Sequence, residues 1–171
     1  MNINELNNLI KNVGILEERI NKYKEKKLIK MQNRDEAEIN GHLEKAEHNL
    51  RFIHDNLILG HLDWCITGAY YSVYHATLAL ILNKNYSSKN HEATLCILIK
   101  EYYKNGVSKE DIELINNLFI DYQDLLFYIQ SKDKRNESTY SSKYKFDKQT
   151  VEDLRSKAIL FVNKAKGILK N

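Results

Sequence analysis

The nineteen residues Trp64–Leu82, WCITGAYYSVYHATLALIL, hold fourteen apolar or aromatic side chains and no Asp, Glu, Lys or Arg. As a helix, such a segment is apolar on nearly every face and must be wrapped by other helices. The competing reading is a membrane span, which needs about 20 apolar residues. Thr67, Gly68, Ser72, His75 and Thr77, the hydroxyls of Tyr70, Tyr71, Tyr74 and nearby Tyr86, and charge-rich flanks without an aromatic belt favour a central helix with no membrane.

The rest of the chain offers helices to do the wrapping. In 171 residues there is no proline and there are only six glycines, so the main punctuation of β-rich folds is missing and helices can run long. That length fits a single core. The expected fold is all-α: an antiparallel up-and-down bundle of five to six helices around a central apolar helix at about 64–83. Cys65 and Cys96 both fall in apolar helix and read as buried reduced thiols. The N-terminal stretch, with Glu5 among asparagines, lacks the basic and apolar regions of a secretory signal, so the cytoplasm is the expected compartment.

Residues 1–33 read as an N-terminal amphipathic helix and 34–171 as the bundle. Leu6, Leu9, Val13, Leu16, Ile20 and Tyr23 form one stripe over Asn4 to Met31. The end of that stretch, KYKEKKLIK, is too charged for a core, so the helix either projects as a partner surface or packs with a solvated lysine face. From Arg34 to Leu59, Ile39, Leu43, Ala46, Leu50, Ile53 and Leu57 repeat at three-and-four spacing, closed by Gly60. Asp63 is placed to cap the central helix. A further helix is expected from 88–90 to about Gly106. Ser108 to Asp111 forms a capping box for the next, which carries Ile112, Ile115, Leu118, Phe119, Tyr122, Leu125, Leu126 and Ile129. Asp147 is placed to cap a last helix striped with Val151, Leu154, Ala158, Phe161, Ala165 and Ile168.

Between the last two helices runs a polar segment without apolar period, long for a bundle connection. Residues 131–148 hold six basic side chains against Asp133, Glu137 and Asp147, while the other 153 residues balance at 20 against 20. Net positive charge is thus expected in this one loop. Lysines outnumber arginines 21 to 5, so Arg135 stands out as a five-donor fork able to grip a phosphate. His48 and His54, six residues apart, lie on different helix faces and do not make a metal pair. With no clustered metal ligands and no glycine-rich phosphate loop, no metal and no cofactor are expected.

The order Asp63-Trp64, Ala69-Tyr70-Tyr71-Ser72-Val73-Tyr74-His75-Ala76, Ala79-Leu80-Ile81-Leu82, Lys89-Asn90-His91 and then Arg135-Asn136 resembles the HEPN domain family, the higher eukaryotes and prokaryotes nucleotide-binding domains. The match covers about 35 to 170. The resemblance implies a helical bundle, commonly a homodimer, often paired with a minimal nucleotidyltransferase in toxin–antitoxin systems. It also implies a metal-independent ribonuclease motif of an arginine, a polar residue and a histidine near the loop before the last helix. An imidazole there would move the ribose 2′-hydroxyl proton and the guanidinium would steady the charge on the phosphorus oxygens. Arg135 and Asn136 match the first half. The histidine would fall at 140–142, where this chain has Tyr140, Ser141 and Ser142. A tyrosine, with a usual pKa near 10, is mostly in the wrong protonation state for a base at neutral pH.

The candidate catalytic residues are therefore Arg135, Asn136 and Tyr140, and the candidate RNA- or nucleotide-binding residues are Lys132, Lys134, Arg135, Lys143, Tyr144, Lys89 and His91. Each has a plainer alternative. Arg135 could pair with Asp133 or Glu137, Asn136 could end a helix, and Tyr140 could be a packing or surface residue. His91 could serve as a cap or an inter-helix contact, and His75 could be a hydrogen-bonded core histidine. Tyr70, Tyr71 and Tyr74 read as core and dimer surface. The expected function is RNA or nucleotide binding through 131–148 by a regulatory component of toxin–antitoxin or stress and defence type, with a degenerate ribonuclease motif. The alternatives are an active metal-independent endoribonuclease toxin and a structural dimerisation module.

Overall fold

The computed structural model describes the backbone of residues 1–133 and 147–170, and the side chains of these except 124–133. Seven helices and two short strands are present among them. In order these are α1 (Ile3–Lys11), α2 (Val13–Glu25), β1 (Ile29–Met31), α3 (Glu36–Ile58), α4 (Leu62–Asn83), β2 (Tyr86–Ser88), α5 (His91–Tyr102), α6 (Lys109–Asp133) and α7 (Lys148–Lys170). The fold is all-α apart from the strand pair.

The apolar helix α4 is central as its composition requires. It packs on α3 most extensively, then on α7, α6 and α5. Although it is long and apolar enough to cross a bilayer, 72% of its most apolar window is buried within the protein. Gly68 sets how near α3 can come: a β-carbon there would lie 2.7 Å from Ile53 Cγ1 and 3.1 Å from Phe52 Cδ1. The core built around it is continuous, running from Leu6, Leu9, Leu16 and Ile20 through Val73, Leu80 and Leu98 to Phe161 and Val162.

The N-terminal stripe is packed, not projecting, and it is two helices where one was expected. Asn12 breaks it: its backbone is extended, its N–H donates to Asn8 O (2.9 Å), and its side-chain oxygen accepts from Ile15 N (3.2 Å). An asparagine side chain competes with helical backbone pairing in this way. The break turns the two halves relative to each other, so Val13 is 68% exposed while Leu9 and Leu16 are buried.

Helix ends follow local chemistry. At the end of α2, Lys27 takes φ +58°, with Lys27 N–H donating to Lys24 O and Leu28 N–H to Tyr23 O, a Schellman closure. Gly60 (φ +78°) closes α3 in the same manner. Asp63 does not cap α4. The cap position is His61, without a side-chain bond, and Asp63 lies in the exposed first turn, where its charge still meets the positive helix end. For α5 the cap is Asn90, which accepts from Ala93 N (2.9 Å), and the helix ends earlier than expected, at Tyr102. The Ser108–Asp111 box forms, with Ser108 N–H on Asp111 Oδ2 (2.8 Å) and Asp111 N–H on Ser108 Oγ (3.3 Å). Asp147 caps α7 through Thr150 N (2.8 Å).

Two short strands join the helices of the all-α bundle. β1 and β2 pair antiparallel with Ile29 opposite Ser88, Lys30 opposite Ser87 and Met31 opposite Tyr86. Their backbone groups satisfy one another where α2 and α4 have ended, and Ile29 and Ser88 turn inward.

Candidate functional site

Helix α4 carries three tyrosines and a histidine within two turns, and two neighbouring helices bring aromatic partners to them. From α5 comes His91, the first residue of that helix; from α6 come Phe119 and Tyr122. Tyr70 stacks on Tyr122 with centroids 3.7 Å apart and planes within 5°, and its hydroxyl lies 2.7 Å from His91 Nε2. Tyr71 Oη lies 2.8 Å from Tyr122 Oη, and His91 stacks on Phe119 at 4.5 Å. Tyr74 completes the layer, edge-on to His91 and Phe119.

Burial governs the protonation of this layer. It pushes the Tyr70 hydroxyl well above the usual phenol range, helped by Tyr74, Tyr122 and Tyr71. It raises Tyr122 likewise, with the Tyr71 hydrogen bond second, and it raises Tyr74. His91 is pushed down, also by burial. At neutral pH Tyr70, Tyr74, Tyr122 and His91 are therefore uncharged, and the Tyr70–His91 hydrogen bond runs between neutral groups. Chemically this is a stiff wall joining α4, α5 and α6, and α6 leads directly into the basic segment.

A second histidine pair bridges α3 and α4. His42 Nδ1 and His75 Nδ1 are 2.8 Å apart, so one ring must donate and the other accept. Burial lowers both imidazoles, that of His75 to about 4, with His42 and Lys45 adding to the effect. His75 is thus a partnered histidine of the bundle, the plainer of its two readings.

The expected binding and catalytic residues are distributed unevenly. Arg135, Asn136, Tyr140, Lys134, Lys143 and Tyr144 lie outside the described residues. Lys132 belongs to the last turn of α6. Lys89 is exposed in the turn before α5, while His91, two residues on, is half-buried against Tyr70 and Phe119. Lys89 is not among the residues that line the cavity beside His91. His91 edges a cavity of about 230 Å³ with Glu92, Leu95, Asn116, Phe119 and Gln123. There Glu92 is already engaged by the Tyr23 hydroxyl at 2.7 Å. Among the described residues no group of three or more His, Cys, Asp or Glu is placed to hold a metal.

Sequence reasoning did not single out Phe119, Tyr122 or His42 as partners of the central helix. Phe119 and Tyr122 sit in the apolar stripe of α6, which marks them as core, and no spacing rule says which residue of another helix they meet. His42 falls three residues after Ile39, on the flank of the α3 stripe, and that position was a legible sign that it faces the bundle.

The chain is similar to archaeal proteins and matches a family model. The chain is 29% identical over 140 residues to a toxin candidate of Methanocaldococcus jannaschii, an alignment spanning 81% of this chain and 86% of the relative. It is 26% identical over 133 residues to a UPF0332 protein of Archaeoglobus fulgidus, spanning 78% and 94%. The HEPN domain family model matches residues 39–168, from the first core isoleucine of α3 to the last turns of α7. A match over most of the chain, on a bundle built around a largely buried apolar helix, places this chain in the HEPN domain family.

Proposed function

We propose that this protein is a toxin-type HEPN component that engages RNA or a nucleotide through the basic segment 131–148, with Arg135 as its principal phosphate contact. The observation that carries the reading is the span of the family match: residues 39–168 include the basic segment and Arg135. Similarity to the archaeal toxin candidate supports the toxin-type assignment. Helix α6 runs to Asp133 and Asp147 caps the start of α7, on the two sides of Arg135 in the sequence. With Tyr140, Ser141 and Ser142 where the family's histidine would fall, the function is binding and regulation, in a homodimer and with a minimal nucleotidyltransferase as partner.

The test is binding of a labelled single-stranded RNA pool by the wild type and Arg135→Ala in EDTA, with the products sized in parallel. The variant is expected to bind more weakly, with a shallower dependence of affinity on salt, and the RNA is expected to stay intact. Unchanged affinity and salt dependence in the variant would overturn the reading. Cleavage by the wild type that the variant lacks would replace it with the endoribonuclease alternative.

A further inference from the structure

The strand pairing assembles a concentration of charge that neither stretch shows alone. Residues 22–30 contribute Lys22, Lys24, Lys26, Lys27 and Lys30, and residues 84–89 contribute Lys84 and Lys89. Against these seven lysines the two stretches hold one acid, Glu25, while the rest of the chain holds 19 basic and 22 acidic side chains. All seven lysines are exposed. Among the described residues none of them forms an ion pair, whereas Arg19, Arg34, Lys100, Lys109, Lys148, Lys164 and Lys166 all do. By charge count these two stretches carry +6 over 15 residues, against +3 over the 18 residues of 131–148.

The face also has a floor. Lys30 lies opposite Ser87 and Met31 opposite Tyr86 in the register, and Lys24 Nζ sits 5.8 Å from the centre of the Tyr86 ring. Tyr86 is half-buried, with Glu101 close to its hydroxyl and raising it, second to burial. At the far edge Arg34 is neutralised by Glu36, and Gln32 reaches Glu38 (2.9 Å), so the positive region ends there.

We propose that this β1–β2 face binds the phosphate backbone of single-stranded nucleic acid. Seven lysines in and beside the strand pair, two of them over tyrosine rings and none in an ion pair among the described residues, repel one another in the free protein, and a polyanion relieves that repulsion while releasing its own counterions. Lysines on flexible stems act as point charges and accept irregular phosphate spacing. Tyr86 supplies a ring for a base once Lys24 moves from it to a phosphate. A membrane surface fits less well, because Met31, next to Lys30, is the single strongly exposed large apolar side chain in residues 22–31 and 84–89, and peripheral anchoring needs more apolar area. The nature of the polymer rests on the RNA reading above; the residues of this surface are other than those of 131–148.

The experiment compares the full-length wild type, Lys24→Gln/Lys30→Gln/Lys89→Gln and Arg135→Ala. It measures fluorescence anisotropy with a labelled oligouridine across a salt series and sedimentation with phosphatidylserine-containing vesicles, after circular dichroism has shown equal helicity. The triple variant is expected to lose at least roughly tenfold in RNA affinity, and its log–log salt slope should fall by about 2, since each lost phosphate contact removes about 0.7 on a single strand. An unchanged affinity and slope in the triple variant overturns the proposal, as does binding to vesicles without binding to RNA. Loss in the triple variant with none in Arg135→Ala upholds this surface and rejects the loop; the reverse result rejects this surface alone.

Discussion

His42 and His75 face each other across the α3–α4 contact with their Nδ1 atoms 2.8 Å apart. A neutral pair shares one Nδ1 proton, and a singly protonated pair keeps the bond. The doubly protonated pair has no acceptor left and two like charges in contact. Burial first, then the partner ring and Lys45, lowers His75 to about 4, against its ordinary 6.5. Lys45 also lowers His42, after burial, and Glu38 opposes it. Because the unfolded chain binds these protons at higher pH than the folded one, stability rises with pH through the window from about 4 to 6.5. The contribution is intact at neutral pH and is lost on acidification. Thermal unfolding of the wild type should show a larger drop in Tm between pH 7.5 and 4.5 than His75→Gln does; equal drops would show that the pair does not titrate as stated.

Gly68 and Gly41 make opposite predictions for the same change. Gly68→Ala places a methyl 2.7 Å from Ile53 Cγ1, so α3 and α4 must part or Ile53 must leave its rotamer. The expected cost is about 1 to 3 kcal/mol of overpacking, larger than the gain of about 1 kcal/mol in helix propensity. Gly41, within α3, has nothing within 4 Å of its added β-carbon, so Gly41→Ala should stabilise by up to about 1 kcal/mol. Urea unfolding midpoints decide both, and a stabilised Gly68→Ala would mean the helices are not in tight contact there.

Much of this fold was legible because its signals are periodic or local. The α3 stripe closed by Gly60, the Ser108–Asp111 box and the Asp147 cap were all readable, since each depends on residues within a few turns of one another. What escaped was decided by competition or by distance along the chain. Asn12 lies inside a stripe that continues on both sides, and only its side-chain bond to Ile15 N ends one helix and starts the next. Strands of three residues carry no measurable alternation, so the β1–β2 pair was invisible, and with it the lysine face that joins residues about sixty apart. For the candidate site, Lys89 and His91 could be named from sequence, but the Tyr70 partner of His91 belongs to tertiary packing.

Ser72 is fully buried on α4 and its hydroxyl has no hydrogen-bond partner among the described residues. A hydroxyl desolvated without compensation destabilises the fold, and alanine removes it at nearly constant volume. Ser72→Ala should leave the unfolding free energy unchanged or raise it by about 1 kcal/mol. A loss above that size in chemical denaturation would show that the hydroxyl is engaged after all.

Tyr71 and Tyr122 offer the sharpest test of the aromatic layer. Their hydroxyls lie 2.8 Å apart and link α4 to α6, the helix that carries Lys132 and runs into the basic segment. Tyr71→Phe leaves the Tyr122 hydroxyl half-sheltered without this partner, and Tyr122→Phe does the same to Tyr71. Each single change should cost about 1 kcal/mol, because an orphaned hydroxyl loses its bond but keeps its desolvation cost. The double change removes both polar groups together, so its cost should be less than the two single costs combined, with a coupling of about 0.5 to 1 kcal/mol in a double-mutant cycle. Strict additivity would mean that each hydroxyl is served by solvent. If α6 is held by this bond, the Phe variants should also weaken RNA binding through the Arg135 segment, while leaving the contribution of the Lys24, Lys30 and Lys89 face intact.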